Sequence, residues 1–220
     1  MKYVTLASLK ALLIALGYNC EVAKIYKKIY LREEAQKMQK YLITSEEFYT
    51  NIPEIFLSKM NLQLKKHRPS HVLYRDKSNQ NYSKLSSVFA AVCAEYKDIK
   101  SFIHQDIELS KELHVSGVHL TSAQSHEIVK AKELNLEVII STHTHEEVLQ
   151  AQKLGADAVT YSPIFASPEK GRPKGVEDLK ELLEICEIKV FALGGIVTKE
   201  HVDMIAQTKA YGFASIRYFY

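Results

Sequence analysis

From residue 41 onward the chain alternates between two hydrophobic rhythms. Short runs dominated by apolar and β-branched residues fall at 41–44, 71–74, 100–103, 117–120, 137–141, 158–161, 189–193 and 212–216. Between them, apolar residues recur at three- and four-residue spacing over 53–66, 84–96, 107–113, 125–134, 145–154, 176–185 and 198–208. The first rhythm predicts strands and the second amphipathic helices. Eight strands alternating with seven helices, at a repeat of roughly 20–25 residues, is the pattern of βα units in a parallel sheet. Eight such units close most naturally into an α/β (β/α)8 barrel, the TIM-barrel architecture.

Two further helical patterns lead the chain. Leu6, Leu9, Leu13 and Leu16 share one helical spacing, and Val22, Ile25, Tyr26 and Ile29 another. The sequence therefore divides into a helical extension over 1–40, packed on the barrel, and a barrel domain over 41–220. No helical pattern follows the last strand, so an eighth helix is missing and the outer face of strand eight needs another cover. One of the leading helices is expected near the gap between strands eight and one.

Composition changes this picture little. The 220 residues are 46% hydrophobic and 25% charged, ordinary for one globular unit with a full core. A net charge of +3 is too small to argue for nucleic acid. The charge is uneven: residues 1–40 carry eight Lys/Arg against three Asp/Glu, which reads first as a solvated helix face. Cys20, Cys93 and Cys186 are scattered and odd in number, so a reducing, cytoplasmic setting fits better than a disulfide framework. No apolar run is long enough to span a membrane. The short run at 11–16 ends in Gly17-Tyr18-Asn19, which reads as a helix stop and not as a leader cleavage site.

A barrel of this kind places its chemistry at the C-terminal ends of the strands and in the loops that follow. Those positions are rich in cations and poor in carboxylates. Arg75, Lys77, Lys170, Arg172, Lys174 and Arg217 are all candidates to meet one anion, with Ser141 and Ser167 beside them. Gly194-Gly195 closes strand seven, where a backbone without Cβ atoms lets N–H groups approach a phosphate and the helix near Thr198 adds a favourable dipole. A glycine pair after a strand is also often only a turn. His143, at the end of strand five, is the best general acid/base candidate, because imidazole titrates near neutrality. His104, His119 and His143 end three consecutive strands, but no carboxylate reinforces them, and a tri-histidine metal site is disfavoured.

At these residues the chain resembles the thiamine phosphate synthase/TenI family of (β/α)8 barrels. The pieces that carry the resemblance are Tyr41-Leu42-Ile43-Thr44, Arg75-Asp76-Lys77, Gly117-Val118-His119-Leu120, Ser141-Thr142-His143-Thr144, Leu154-Gly155-Ala156-Asp157, Pro163-Ile164-Phe165 and Gly194-Gly195-Ile196. The resemblance implies that Arg75, Lys77, Ser141 and Lys170 hold a diphosphate and pyrimidine, and that the amides around Gly194, Gly195 and Ile216 hold a thiazole phosphate. The family's synthase uses Mg2+ to help diphosphate leave. Here the two positions of its Mg2+-binding Asp residues are Gln105 and Gln124, and a neutral amide is a poor ligand for this hard cation. Its strand-two Gln is Leu73, its Asn before the first Asp is His104, and its Ser after strand eight is Arg217.

TenI proteins keep the barrel and the thiazole phosphate pocket, and tautomerise a carboxylated thiazole phosphate without a metal. The resemblance places their proton-transfer histidine at His143, with Arg75 and Arg217 serving carboxylate and phosphate. A TenI-like tautomerase or divergent form is therefore expected, with no metal ligand and no cofactor. A genuine synthase, which would take Mg2+, and a non-catalytic sensor of thiamine intermediates are the alternatives. The expected partner is a small phosphorylated thiazole or pyrimidine, with neither nucleic acid nor membrane; a homo-oligomer is compatible with the sequence but not specified by it.

Overall fold

The computed structural model describes residues 38–76, 82–168 and 171–220. The leading helices and the cover expected from them lie outside the described residues, as do Lys77 and Lys170. Eight parallel strands, each hydrogen-bonded to the next, close into a barrel: β1 Gln39–Ile43, β2 His71–Tyr74, β3 Lys100–His104, β4 Gly117–Leu120, β5 Glu137–Thr142, β6 Ala158–Tyr161, β7 Lys189–Leu193 and β8 Gly212–Ser215. The ring closes where Tyr41 and Leu42 of β1 pair with Ala214 and Ser215 of β8. The helices are α1 Glu46–Tyr49, α2 Pro53–His67, α3 Tyr82–Ala94, α4 Ile107–Glu112, α5 Ile128–Glu133, α6 His145–Leu154, α7 Gly175–Ile185 and α8 Lys199–Ala206. None of the described helices is long and apolar enough to cross a membrane.

The strands lie between two apolar layers, which is why they read as nearly continuous hydrophobic runs. Alternate residues point inward, and Tyr41, Ile43, Leu73, Phe102, Ile139, Ala158, Phe191 and Ala214 fill the barrel. The intervening residues, such as Leu42, Val72, Val118, Val138 and Val190, are buried on the outer face, as are Phe56, Met60, Phe89 and Leu179 of the helices. Several connections from helix to strand pass through a left-handed residue: Arg68, His114, Asn135 and Gly155. Gly155 caps α6 with φ +89°, and its neighbour Asp157 accepts from Val138 N at 2.7 Å and from Lys132 Nζ at 2.6 Å. The Leu154–Asp157 piece thus serves the fold: it stops a helix and ties the next strand to α5 and β5.

Three features differ from the expected elements, the first being the short helix α1, which no apolar spacing marked. The helix expected over 125–134 is split, with a 3-10 turn at Ser122–Glu127 preceding α5. Following β8, where no helix was expected, the described residues form a 3-10 turn, Arg217–Phe219. Phe219 from that turn stacks on outward-facing Phe213 with ring centroids 5.5 Å apart and planes 7° apart. An aromatic turn therefore packs where an eighth helix would lie.

Candidate active site

Strand alternation decides what the mouth of the barrel contains. Two residues beyond inward-facing Leu73, Phe102 and Ile139 come Arg75, His104 and Ser141, with His143 one step further. These side chains and the loops after β6, β7 and β8 enclose a cavity of about 350 Å3 at the C-terminal end of the strands. Its wall brings together Arg75, Ser141, His143, Ser167, Gly194, Gly195, Ile216 and Arg217, eight residues that the sequence nominated from five separate segments. His104, His119, Thr121, Ser162 and Ser215 add further polar groups, and no carboxylate lines the cavity among the described residues.

Arg75 is the dominant charge. It is half-buried, and burial pushes its guanidinium below its ordinary value, opposed by neighbouring Asp76. Its backbone N–H donates to Thr44 Oγ1 at 2.9 Å, which anchors the end of β2. The guanidinium itself meets no hydrogen-bond acceptor among the described residues. A partly desolvated cation without an acceptor, facing a cavity lined by donors, is poised for an anion.

The glycine pair meets two demands at once. Gly194 and Gly195 have φ of +97° and +68°, the left-handed region that costs a side-chain-bearing residue about 1–2 kcal/mol. A Cβ on Gly194 would lie 2.7 Å from Pro163 Cα, and one on Gly195 2.5 Å from Ala166 O. The loop after β6 packs into that space, with Ile164 N donating to Leu193 O at 2.9 Å and Phe165 N to Gly194 O at 3.0 Å. The Pro163-Ile164-Phe165 and Gly194-Gly195 pieces are thus two sides of one contact. The amides of Gly194, Gly195 and Ile216 donate to no protein acceptor among the described residues. At α8, by contrast, the Thr198 hydroxyl already accepts from His201 N.

His143 is held by its surroundings. Its backbone N–H donates to Glu147 Oε2, and its Nδ1 lies 3.2 Å from Ser162 O. Donation from Nδ1 to that carbonyl leaves Nε2 as the basic nitrogen, whereas acceptance from the Ser162 hydroxyl, 3.3 Å from Nδ1, goes with the other tautomer, so Ser162 can hold the ring in either. The tri-histidine arrangement is occupied otherwise: His119 has both ring nitrogens in hydrogen bonds, to Tyr41 and Ser141.

Among the described residues, two other nominated cations do not line the cavity. Lys174 Nζ sits over the Tyr161 ring, 5.0 Å from its centroid, and Arg172 is exposed away from the lining. Of the six candidates for one anion, Arg75 and Arg217 line the cavity, Arg172 and Lys174 do not, and Lys77 and Lys170 lie outside the described residues.

Gln105 lines the cavity, but Gln124 does not. Gln124 Oε1 accepts from Thr121 N at 3.2 Å and Thr121 Oγ1 at 3.1 Å, while Nε2 donates to Gln105 O at 3.2 Å and Glu127 Oε1 at 3.1 Å. Both lone pairs of its only side-chain oxygen are therefore taken. Nearby acids also have partners: Asp106 Oδ1 caps α4 through Leu109 N, and Glu108 pairs with Lys130. Among the described residues no three acidic or imidazole groups are gathered as a metal site needs, whereas Mg2+ favours several carboxylate oxygens in octahedral array.

Comparison with known proteins adds the following. A family model described as thiamine monophosphate synthase matches residues 40–219. The chain is 33% identical over 183 residues to a putative thiamine-phosphate synthase 2 of Aquifex aeolicus, covering 81% of this chain and 96% of that protein. It is 32% identical over 120 residues to a thiamine-phosphate synthase of Bacillus licheniformis, where the match spans 53% of that protein. In three dimensions it resembles a thiamine phosphate pyrophosphorylase from Pyrococcus furiosus with a TM-score of 0.69 at 24% identity, covering 83% of this chain and 87% of that one.

Proposed function

The chain belongs to the thiamine monophosphate synthase family, and from that premise we propose that it is a thiamine-biosynthesis enzyme that binds a carboxylated thiazole phosphate and moves a proton on it, as a TenI-like tautomerase does. The observation that carries this reading is the cavity wall: two arginines, three histidines and free backbone amides, without a carboxylate. In this reading the amides of Gly194, Gly195 and Ile216, with Arg217 and Ser167, clamp the phosphate. Arg75 takes the carboxylate, with Lys77 and Lys170 as further candidates for the same anion. His143 Nε2 removes the proton at one ring position and returns it at another, so atoms and charge balance without a co-reactant. The ligand is a small phosphorylated molecule, and no divalent cation takes part.

The names of the relatives favour a second reading, synthase coupling of a pyrimidine diphosphate to a thiazole phosphate. That reaction would draw on Mg2+, and the occupied Gln124 amide argues against it. The two readings separate in one assay. Purified protein is supplied with the carboxylated thiazole tautomer, and in parallel with both synthase substrates and Mg2+. Tautomerisation that disappears in His143→Ala, by about 100-fold or more as expected for losing a general base, supports the proposal. Thiamine phosphate formation at a synthase-like rate sinks it. Silence in both arms, with the ligand still bound, replaces it with a non-catalytic sensor.

A further inference from the structure

Beneath the cavity a hydrogen-bonded chain crosses the inside of the barrel. Tyr41 reaches from β1 toward β4, its ring packed against Phe102 and Phe191 at centroid distances of 5.8 and 5.2 Å. Its hydroxyl meets His119 Nδ1 at 2.9 Å, and His119 Nε2 meets Ser141 Oγ at 2.9 Å. Tyr41 and His119 are buried, while His119 and Ser141 form part of the cavity wall.

A neutral imidazole has one N–H and one lone pair, so this chain can run in either direction. With the proton on Nδ1, the ring would donate to the phenol oxygen, and the Tyr41 O–H would be buried with no acceptor among the described residues. The opposite direction leaves no buried donor unpaired. Tyr41 donates to Nδ1, Nε2–H donates to Ser141 Oγ, and the Ser141 hydroxyl hydrogen is the free end, at the cavity. A second proton on His119 is disfavoured by burial and by neighbouring His104 and Arg75, so the ring stays neutral and the direction holds.

We infer that Tyr41 and His119 are positioning residues that keep the Ser141 hydroxyl hydrogen free to donate into the cavity, where it meets an acceptor atom of the ligand at β5. The inference deepens the proposed function, on which it rests for the identity of the ligand. A carboxylate oxygen or an unprotonated ring nitrogen qualifies as that acceptor, and a carboxylate gives the stronger, charge-assisted bond.

The test begins with the full-length wild-type protein labelled with 15N-histidine. Two-bond 1H–15N correlation is expected to show His119 protonated on Nε2 and bare on Nδ1. A ring protonated on Nδ1, or on both nitrogens, overturns the inference. Calorimetric binding of the carboxylated thiazole phosphate is then compared among Tyr41→Phe, Ser141→Ala and the double variant. Each single change is expected to weaken binding about tenfold. The double change is expected to weaken it no further, because Tyr41 acts through Ser141. Losses that multiply also overturn the inference. Wild-type protein that does not bind this ligand breaks the proposed function instead, and the His119 tautomer still decides the inference.

Discussion

The loops after β7 and β8 and those after β3 and β4 treat their polar groups in opposite ways. On the first side, Gly194, Gly195 and Ile216 leave their amides without acceptors among the described residues, and the glycine Cβ positions are filled by the neighbouring loop. On the second side, Gln124 makes four hydrogen bonds that tie its own loop to Gln105 and Glu127. Both sides sit on one continuous barrel, so the difference lies in local chemistry and not in the fold. One side is arranged to receive a ligand anion. The other closes on itself with amides, where the family resemblance puts metal-binding acids.

The contrast can be broken first at the glycine pair, where the largest effect is expected. Gly195→Ala combines a left-handed backbone with a Cβ 2.5 Å from a backbone oxygen that cannot simply rotate away. A loss of about 2–4 kcal/mol in denaturant unfolding is expected, together with ligand affinity at least tenfold weaker. Unchanged stability would show that the contact with the loop after β6 is looser than this geometry implies.

Arg75→Met sharpens the comparison through the sign of its effects. Removing a half-buried guanidinium that has no hydrogen-bond acceptor among the described residues, at similar volume, should leave stability unchanged or slightly raised, by up to about 1 kcal/mol. The same change should weaken anion binding about tenfold or more. Destabilisation with intact binding would mean that Arg75 serves the fold. The smallest effect is expected at Gln124→Ala, which removes the loop bridge. It should cost about 1 kcal/mol of stability and leave thiazole phosphate affinity within about twofold, as calorimetry would show.

Much of this was legible in the sequence, for physical reasons. Strands such as Ala158–Tyr161 and Lys189–Leu193 are buried on both faces, so they appear as apolar runs whatever their partners. Once eight such runs are counted, the topology assigns strand ends to one mouth, and Arg75, His143 and Gly194 follow from their places in order. Contacts that depend on closure of the ring were not legible. Tyr41 and His119 are 78 residues apart, and their hydrogen bond exists because β1 and β4 face each other across the barrel. Lys174 shows the same limit: its place in a basic loop suggested an anion, but the ring of Tyr161 lies closer. The 3-10 turn at Ser122–Glu127 was hidden because Gln124 bonds back to Thr121, a side-chain choice that apolar spacing does not record.

The central claim is that the anion clamp works without a divalent cation. It is tested most directly by titrating the carboxylated thiazole phosphate into the protein in excess EDTA and again in millimolar Mg2+, while following tautomerisation in the same samples. The account predicts the same affinity and the same rate in both. Binding or turnover that vanishes in EDTA and returns saturably with Mg2+ would contradict it, and would mean that the side built on Gln105 and Gln124 opens to take a metal.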